Sequence, residues 1–300
     1  MVYRHGILYT MSGHKQHKLN WLQHHLPEGL VADAAWFERQ GYSRGLRQKY
    51  VANRWLNQVA RGVYRRPSGS LDACGEQDRL RWQHVVISLQ TLLERPFIVG
   101  GRTALELQGF AHYLAPAGPR EIHLYGVGSL PRWLLNLELD SKFVFHNGSK
   151  LFKRGTYAQG GEAYSGEVPA EQATGVVQGS LIRQLWGHRD WPLIMSSPER
   201  AILELLDGVP QRETFHQADM LMEGLRNLSP RRLQQLLPDC RNVKVKRLFF
   251  WFAERHNHAW LNKLDRSGVD FGRGKRLLVR GGKLDRRYNI TVPENLDGDL

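Results

Sequence analysis

The sequence predicts an α+β protein: an N-terminal winged helix-turn-helix followed by a larger mixed α+β C-terminal domain. Three observations predict it. Three short helical patterns lead into a two-stranded ribbon turning at Ala60-Arg61-Gly62. Pro67-Ser68-Gly69-Ser70 then marks a boundary. Beyond it strand and helix patterns mix, and 300 residues that are 41% hydrophobic suffice for two cores.

Residues 1–14 read as a tail, with Met11 an alternative start because the periodic sequence begins just after it. Lys15 to Leu26 is helical, with Leu19, Leu22 and Leu26 on one face and Pro27 ending it. Asp33 caps a short helix, Ala34 to Gln40, whose inward residues are Ala35 and Trp36 or Phe37. Gly41 supplies a sharp stop, and Ser43 caps a third helix running to about Arg54. The ribbon strands are Trp55 to Val59 and Val63 to Arg66. Residues 15–70 thus make a DNA-binding domain and residues 71–300 a second one, with a basic segment at 241–300.

In the second domain, Gln77 to Leu93 is amphipathic, with Leu80, His84, Ile87 and Leu92 inward. Phe97-Ile98-Val99 is a buried strand ending at Gly100-Gly101; Thr103 caps a helix, Ala104 to Gln108, stopped at Gly109. Glu121 to Tyr125 and Lys142 to His146 alternate as strands, whereas Gly155 to Gly179 is Gly-rich without a clear pattern. Ser197-Pro198 opens a helix with the stripe Ala201, Ile202, Leu205 and Leu206. Thr214 with Gln217 makes a capping box, and Ser229-Pro230 opens another helix. Val243 to Leu264 is long and aromatic-rich; Arg276 to Arg280 and Tyr288 to Val292 return to strand.

The net charge is +13, unevenly distributed. Residues 1–70 hold 11 basic and 3 acidic residues, residues 71–240 hold 17 and 19, and residues 241–300 hold 14 and 7. Two basic ends flank a neutral middle, which suits a polyanionic partner, most simply nucleic acid; the alternative is a solvated basic surface. No run approaches about 18 apolar residues, so no transmembrane helix is expected. The first residues lack the apolar stretch of a signal peptide. Cys74 and Cys240 lie far apart, which suits a reducing cytoplasm and supports neither a disulfide framework nor a zinc site.

The third helix is the expected reader, because a helix fits the major groove and presents its early residues to base edges. Its candidates are Ser43, Arg44, Arg47, Gln48, Lys49, Asn53 and Arg54. Leu46 and Tyr50 are expected to face the core, turning Arg47 and Gln48 partly outward. Arg61 at the ribbon tip, with Arg65 and Arg66, would meet phosphate or the minor groove as a wing. Arg273, Lys275, Arg276, Arg280, Lys283, Arg286 and Arg287 would form a C-terminal basic face.

These residues resemble a known family. Gly41-Tyr42-Ser43, Leu46, Tyr50, Leu56 and the phrase Arg61-Gly62-Val63-Tyr64-Arg65-Arg66 are similar to the N-terminal domain of AbiEi antitoxins. Gly100 to Leu105, Ser196 to Glu204 and Lys283 to Pro293 extend the resemblance over most of the chain after about residue 15. It implies a type IV toxin–antitoxin, or abortive-infection, system. Such antitoxins bind operator repeats in their own promoter through the winged domain and repress the operon. They oppose a nucleotidyltransferase-class toxin largely through the C-terminal domain, without needing a stable complex.

An enzyme is not expected. Gly100-Gly101 also resembles the start of a nucleotidyltransferase site, where a following strand carries two carboxylates for divalent metal. The strand here, Glu121-Ile122-His123-Leu124-Tyr125, has one. His256 and His258 would point to different helix faces, and His14 and His17 lack an acidic or thiol partner nearby. Phe249-Phe250-Trp251-Phe252 reads as helix core rather than a base-stacking platform. No catalytic residue, metal or cofactor is assigned. The alternatives are a nucleotidyltransferase-like enzyme and a winged-helix regulator with a ligand-sensing domain.

Overall fold

The computed structural model describes residues 17–67, 79–95, 97–110, 120–154, 175–187 and 189–296. The tail, His14, Cys74, Gln77 and most of the Gly-rich stretch lie outside the described residues. Two units emerge: residues 1–94 with 131–140, and residues 95–130 with 141–300.

In the first unit, helix α1 (17–25) buries Leu22 and is followed by buried Leu26. Strand β1 (Val31–Asp33) leads into α2 (Ala34–Arg39), where Asp33 Oδ1 accepts from Trp36 N at 2.8 Å. Trp36 and Phe37 point inward, whereas Ala35 is exposed. Gly41 adopts φ +78°, which lets the chain reverse without Cβ strain. Ser43 Oγ then accepts from Leu46 N to start α3 (Arg44–Ala52). Asn53 closes that helix by donating to Lys49 O at 2.8 Å, and Arg54 leaves it in the left-handed region.

The ribbon is β2 (Asn57–Ala60) and β3 (Val63–Arg65), in the sheet order β1-β3-β2, all antiparallel. Strand β1 is too short for an alternation signal and escapes sequence reading; pairing with β3 creates it. Phe37 meets Tyr42 and Tyr64 edge-on at centroid distances of 5.8 and 5.5 Å, forming the aromatic core beneath the helices.

Helix α4 (Trp82–Thr91) belongs to this unit, although the linker-like sequence before it suggests a boundary near residue 70. Val85, Val86, Ile87 and Leu89 are fully buried, whereas Leu80, His84 and Leu92 are only partly so. Ser88 Oγ accepts from Val31 N at 2.8 Å, satisfying an amide of β1.

The second unit centres on a six-stranded sheet. Its strands are β4 (Ile98–Val99), β5 (Glu121–Gly126), β6 (Lys142–Asn147), β7 (Gly175–Gln178), β8 (Leu181–Trp186) and β9 (Trp191–Ser196), ordered β6-β5-β4-β9-β8-β7. The pairs β5–β6 and β4–β9 are parallel and the others antiparallel.

Helix α5 (Gly101–Leu107) has Gly100, not Thr103, at its N-cap. Thr103 lies inside it and ties it to β5, donating to Glu121 O and accepting from His123 N. A Cβ on Gly100 would strike the Glu204 carboxylate and the Tyr125 ring, so glycine permits this close approach. Glu204 lies on α6 (Pro198–Gly208), a helix buried along most of its circumference. Its carboxylate accepts from Gly101 N, Ser196 Oγ and Arg200 Nε at 2.8–2.9 Å. Those three donors make its burial tolerable.

Around α6 lie α7 (Phe215–Gly224), α8 (Pro230–Asp239) and α9 (Val243–Arg255). The Thr214–Gln217 capping box is present. Phe249, Phe250 and Phe252 are fully buried, as a core run should be. Helix α9 ends at Arg255 rather than Leu264, because Asn257 takes a left-handed φ of +47° and a 3-10 turn (Ala259–Lys263) follows.

The C-terminal hairpin pairs β10 (Lys283–Asp285) with β11 (Ile290–Val292). Arg276 to Arg280 is not the expected strand. It makes one bridge, at Arg276, and then Thr291 Oγ1 accepts the amides of both Leu278 and Val279. A side-chain oxygen thus replaces the sheet ladder.

Candidate nucleic-acid interface

The exposed face of α3 is narrower than the sequence suggests. Arg44 and Gln48 are one helical turn apart and exposed, as are Lys49 and Asn53 beside them. Ser43 is spent as the cap, and exposed Arg54 lies just beyond the helix.

Arg47 is a correction. It is 3% exposed, with Nη1 donating to Tyr42 O at 2.7 Å and Nη2 to Glu38 Oε1 at 3.0 Å. Its guanidinium lies over the Tyr64 ring, 5.8 Å from the centroid. Arg47 and Tyr50, three residues apart, form the inward face, while Leu46 is only half-buried. The expected phase is therefore one residue off. An arginine can sit inward here because the turn carbonyl of Tyr42 needs a donor.

The wing contracts similarly. Arg61 is exposed at the ribbon tip, beside Gly62 at φ +75°. Arg65 is buried on the central strand β3, in register with Val31 of β1 and Asn57 of β2. Arg66 donates to Gln23 O and Leu26 O and pairs with Glu28 at 2.6 Å, closing the C-terminus of α1. Arg65 and Arg66 are therefore framework, and Arg61 is the wing's outward cation.

In the second unit, Arg273, Lys275, Arg276, Arg280, Lys283, Arg286 and Arg287 are all exposed. A residue that sequence reading missed organises part of them. Arg247 on α9 is 2% exposed and donates to the carbonyls of Phe271, Gly272, Gly274 and Asn289 at 2.7–3.2 Å. It clamps the loop that carries Arg273, Lys275 and Arg276. Burial, then the nearby Arg276 charge, lowers its pKa. Arg287 is held by Glu254 at 3.0 Å, so its charge is partly neutralised.

Comparison with known families resolves the identity of this arrangement. An N-terminal domain described as "Transcriptional regulator, AbiEi antitoxin N-terminal domain" matches residues 15–116. A second, described as "Transcriptional regulator, AbiEi antitoxin, Type IV TA system", matches residues 120–293. The chain belongs to the AbiEi antitoxin family.

The match spans both units of the AbiEi chain. Among solved structures, the RV2827C protein from Mycobacterium tuberculosis is similar in fold, with a TM-score of 0.51 at 12% identity over 93% of this chain and 90% of that one. No curated protein matches the sequence. No helix among the described residues is long and apolar enough to cross a membrane.

The AbiEi chain uses Gly100-Gly101 for packing, as the Glu204 and Tyr125 contacts show. On β5 the alternate positions after Glu121 are His123 and Tyr125, both buried, so the strand carries a single carboxylate. His256 Nε2 faces Asp219 at 2.7 Å and His258 Nε2 faces Met222 O at 2.7 Å, giving the two histidines separate partners. Among the described residues, no group of three or more His, Cys, Asp or Glu could hold a metal ion.

Proposed function

We propose that this AbiEi protein represses its own operon by binding promoter DNA through the first unit, and opposes a nucleotidyltransferase-class toxin through the second. The carrying observation is the exposed face of α3, where Arg44 and Gln48 share one side of a capped helix. Arginine suits guanine and glutamine suits adenine in the major groove. Arg61 at the wing tip supplies a phosphate or minor-groove contact, and Lys49 and Arg54 fix the helix on the backbone.

Gly45 supports the reading. It lies between Arg44 and Leu46 on α3, and a Cβ there would meet nothing within 4 Å. Packing within the chain does not require glycine at this position. In this reading it serves a close approach of the helix to DNA.

The second unit acts as antitoxin in this reading, using its basic face toward a polyanion or an acidic partner surface, without a tight toxin complex and without catalysis. Fluorescence anisotropy with the promoter fragment and a scrambled duplex tests the first half. Arg44→Ala with Gln48→Ala should erase the preference for the promoter and leave scrambled binding. Equal affinity of the unaltered protein for both duplexes would reject the reading. For the second half, charge reversal at Arg276, Arg280 and Arg286 should weaken rescue of cells expressing the partner toxin. Undiminished rescue by a folded variant would remove the basic face from neutralisation.

A further inference from the structure

A cleft of about 440 Å³ opens in the second unit, between the C-terminal ends of β5 and β6 and the end of α6. That volume lies within the range of small-molecule sites, about 300–1,000 Å³. Its inner wall is a ring stack: Tyr125 and His146 lie face to face at 4.4 Å with 9° between their planes, and His123 stacks on His146 in turn at 5.1 Å. Tyr125 is fixed from behind by its hydroxyl, which donates to Glu204 O.

The hydrogen-bond chain sets the protonation of this wall. Arginine can only donate, so Arg212 Nη1, 3.3 Å from His146 Nδ1, makes that nitrogen an acceptor. His146 then carries its proton on Nε2 and donates to His123 Nδ1 at 2.9 Å. His123 in turn holds its proton on Nε2, toward Glu121 at 3.9 Å. Both rings are neutral: burial lowers His123 to about 4 and His146 to about 3. The neighbouring charges of Arg102 and Arg212 push His123 the same way, while Glu121 opposes them.

Charge is concentrated at the mouth instead. Lys150, on the 3-10 turn Gly148–Lys150 after β6, and Arg212, on the turn after α6, are exposed cations. Asn147 Oδ1 is occupied by Ser149 N and Oγ, which leaves its NH₂ to donate, and Gln211 adds a second amide. Asp207 is the carboxylate of the lining, and it already accepts from Asn242 Nδ2 at 2.6 Å. Cations and amide donors from several directions match an anion with oxygens on several sides. A carboxylate could be satisfied by one arginine fork alone.

We infer that this cleft binds a small phosphomonoester, its phosphate held between Arg212 and Lys150 with Asn147 and Gln211 donating. The cleft's lining residues all belong to the second unit, whereas α3 belongs to the first.

Calorimetric titration of the full chain without DNA tests it, using adenosine monophosphate, inorganic phosphate and adenosine. Saturable one-site binding of the monophosphate is expected, with inorganic phosphate competing and adenosine inert. Arg212→Ala and Lys150→Ala should each weaken binding about tenfold or more. Lys150→Ala keeps the test valid if Arg212→Ala disturbs His146. Arg280→Ala with Lys283→Ala, elsewhere on the basic surface, should leave the affinity unchanged. Absence of saturable binding, equal binding of adenosine, or an equal loss in the Arg280/Lys283 variant would overturn the site.

Discussion

Arg47 offers a sharp test, because its sequence position assigns it to DNA and its burial assigns it to the fold. Arg47→Ala removes the donor to the Tyr42 carbonyl in a buried turn. Leaving a buried acceptor unsatisfied costs about 1–3 kcal/mol. The Glu38 bridge adds little, because the Glu38 side chain is 62% exposed and exposed pairs are worth about 0–1 kcal/mol. Loss of the Tyr64 ring contact adds about 0.5–1 kcal/mol. The expected destabilisation is therefore about 1.5–5 kcal/mol. With a urea dependence of about 1–3 kcal/mol per molar, the midpoint of the first unit should fall by on the order of 1 M. Trp186, Trp191, Trp251 and Trp260 lie in the second unit, so amide exchange of α2 and α3 against urea, rather than tryptophan fluorescence, follows unfolding of the first. Where Arg47→Ala remains folded, its promoter preference should be retained. Arg44→Ala should do the reverse, keeping the midpoint and losing about 1–3 kcal/mol of specific binding. An unchanged midpoint for Arg47→Ala, with selective loss of promoter binding, would refute the assignment.

Three further outcomes are expected. Gly45→Ala should stabilise α3 by about 0.5–1 kcal/mol in urea unfolding while weakening DNA binding; tighter binding would remove the close approach. Arg61→Ala should weaken all duplexes alike and make the salt dependence shallower by about 0.9 in log–log slope, whereas an unchanged slope would take the wing off the backbone. Two opposing terms should also shape stability against pH, giving a net rise up to about pH 6.5 and little change above it. His123 and His146 bind protons in the unfolded chain near their ordinary 6.5 but in the folded chain only near 4 and 3, so their contribution is lost as pH falls below about 6.5. Burial raises Glu213 to about 7 from an ordinary 4.5, so its contribution is present below 4.5 and lost as pH rises through 7. Glu213→Gln removes the opposing term, so urea midpoints should rise more steeply between about pH 5 and 7 than in the unaltered protein, and an unaltered slope would show that Glu213 does not titrate this way.

Much of the architecture is written in short-range chemistry. Asp33, Ser43, Thr214 and Ser229 cap helices because a side-chain oxygen satisfies amides two or three residues away. Gly41 and Gly62 reverse the chain through positive φ, a property of the residue itself. These signals reveal the helix-turn-helix and its wing, and the charge distribution marks the basic C-terminal face. The inward face of α3 was another matter. Its pattern puts Leu46 and Tyr50 inward and turns Arg47 outward, whereas the Tyr42 carbonyl and the Tyr64 ring hold Arg47 inside. Strand β1 exists through pairing with β3, and Arg65 on that central strand is buried. The phosphomonoester cleft draws Tyr125, His146, Lys150 and Arg212 from separate elements, and Arg247 clamps carbonyls up to 42 residues away. Desolvation and long-range pairing depend on what lies across the fold, so only the tertiary structure could determine which arginines remain free to face a partner.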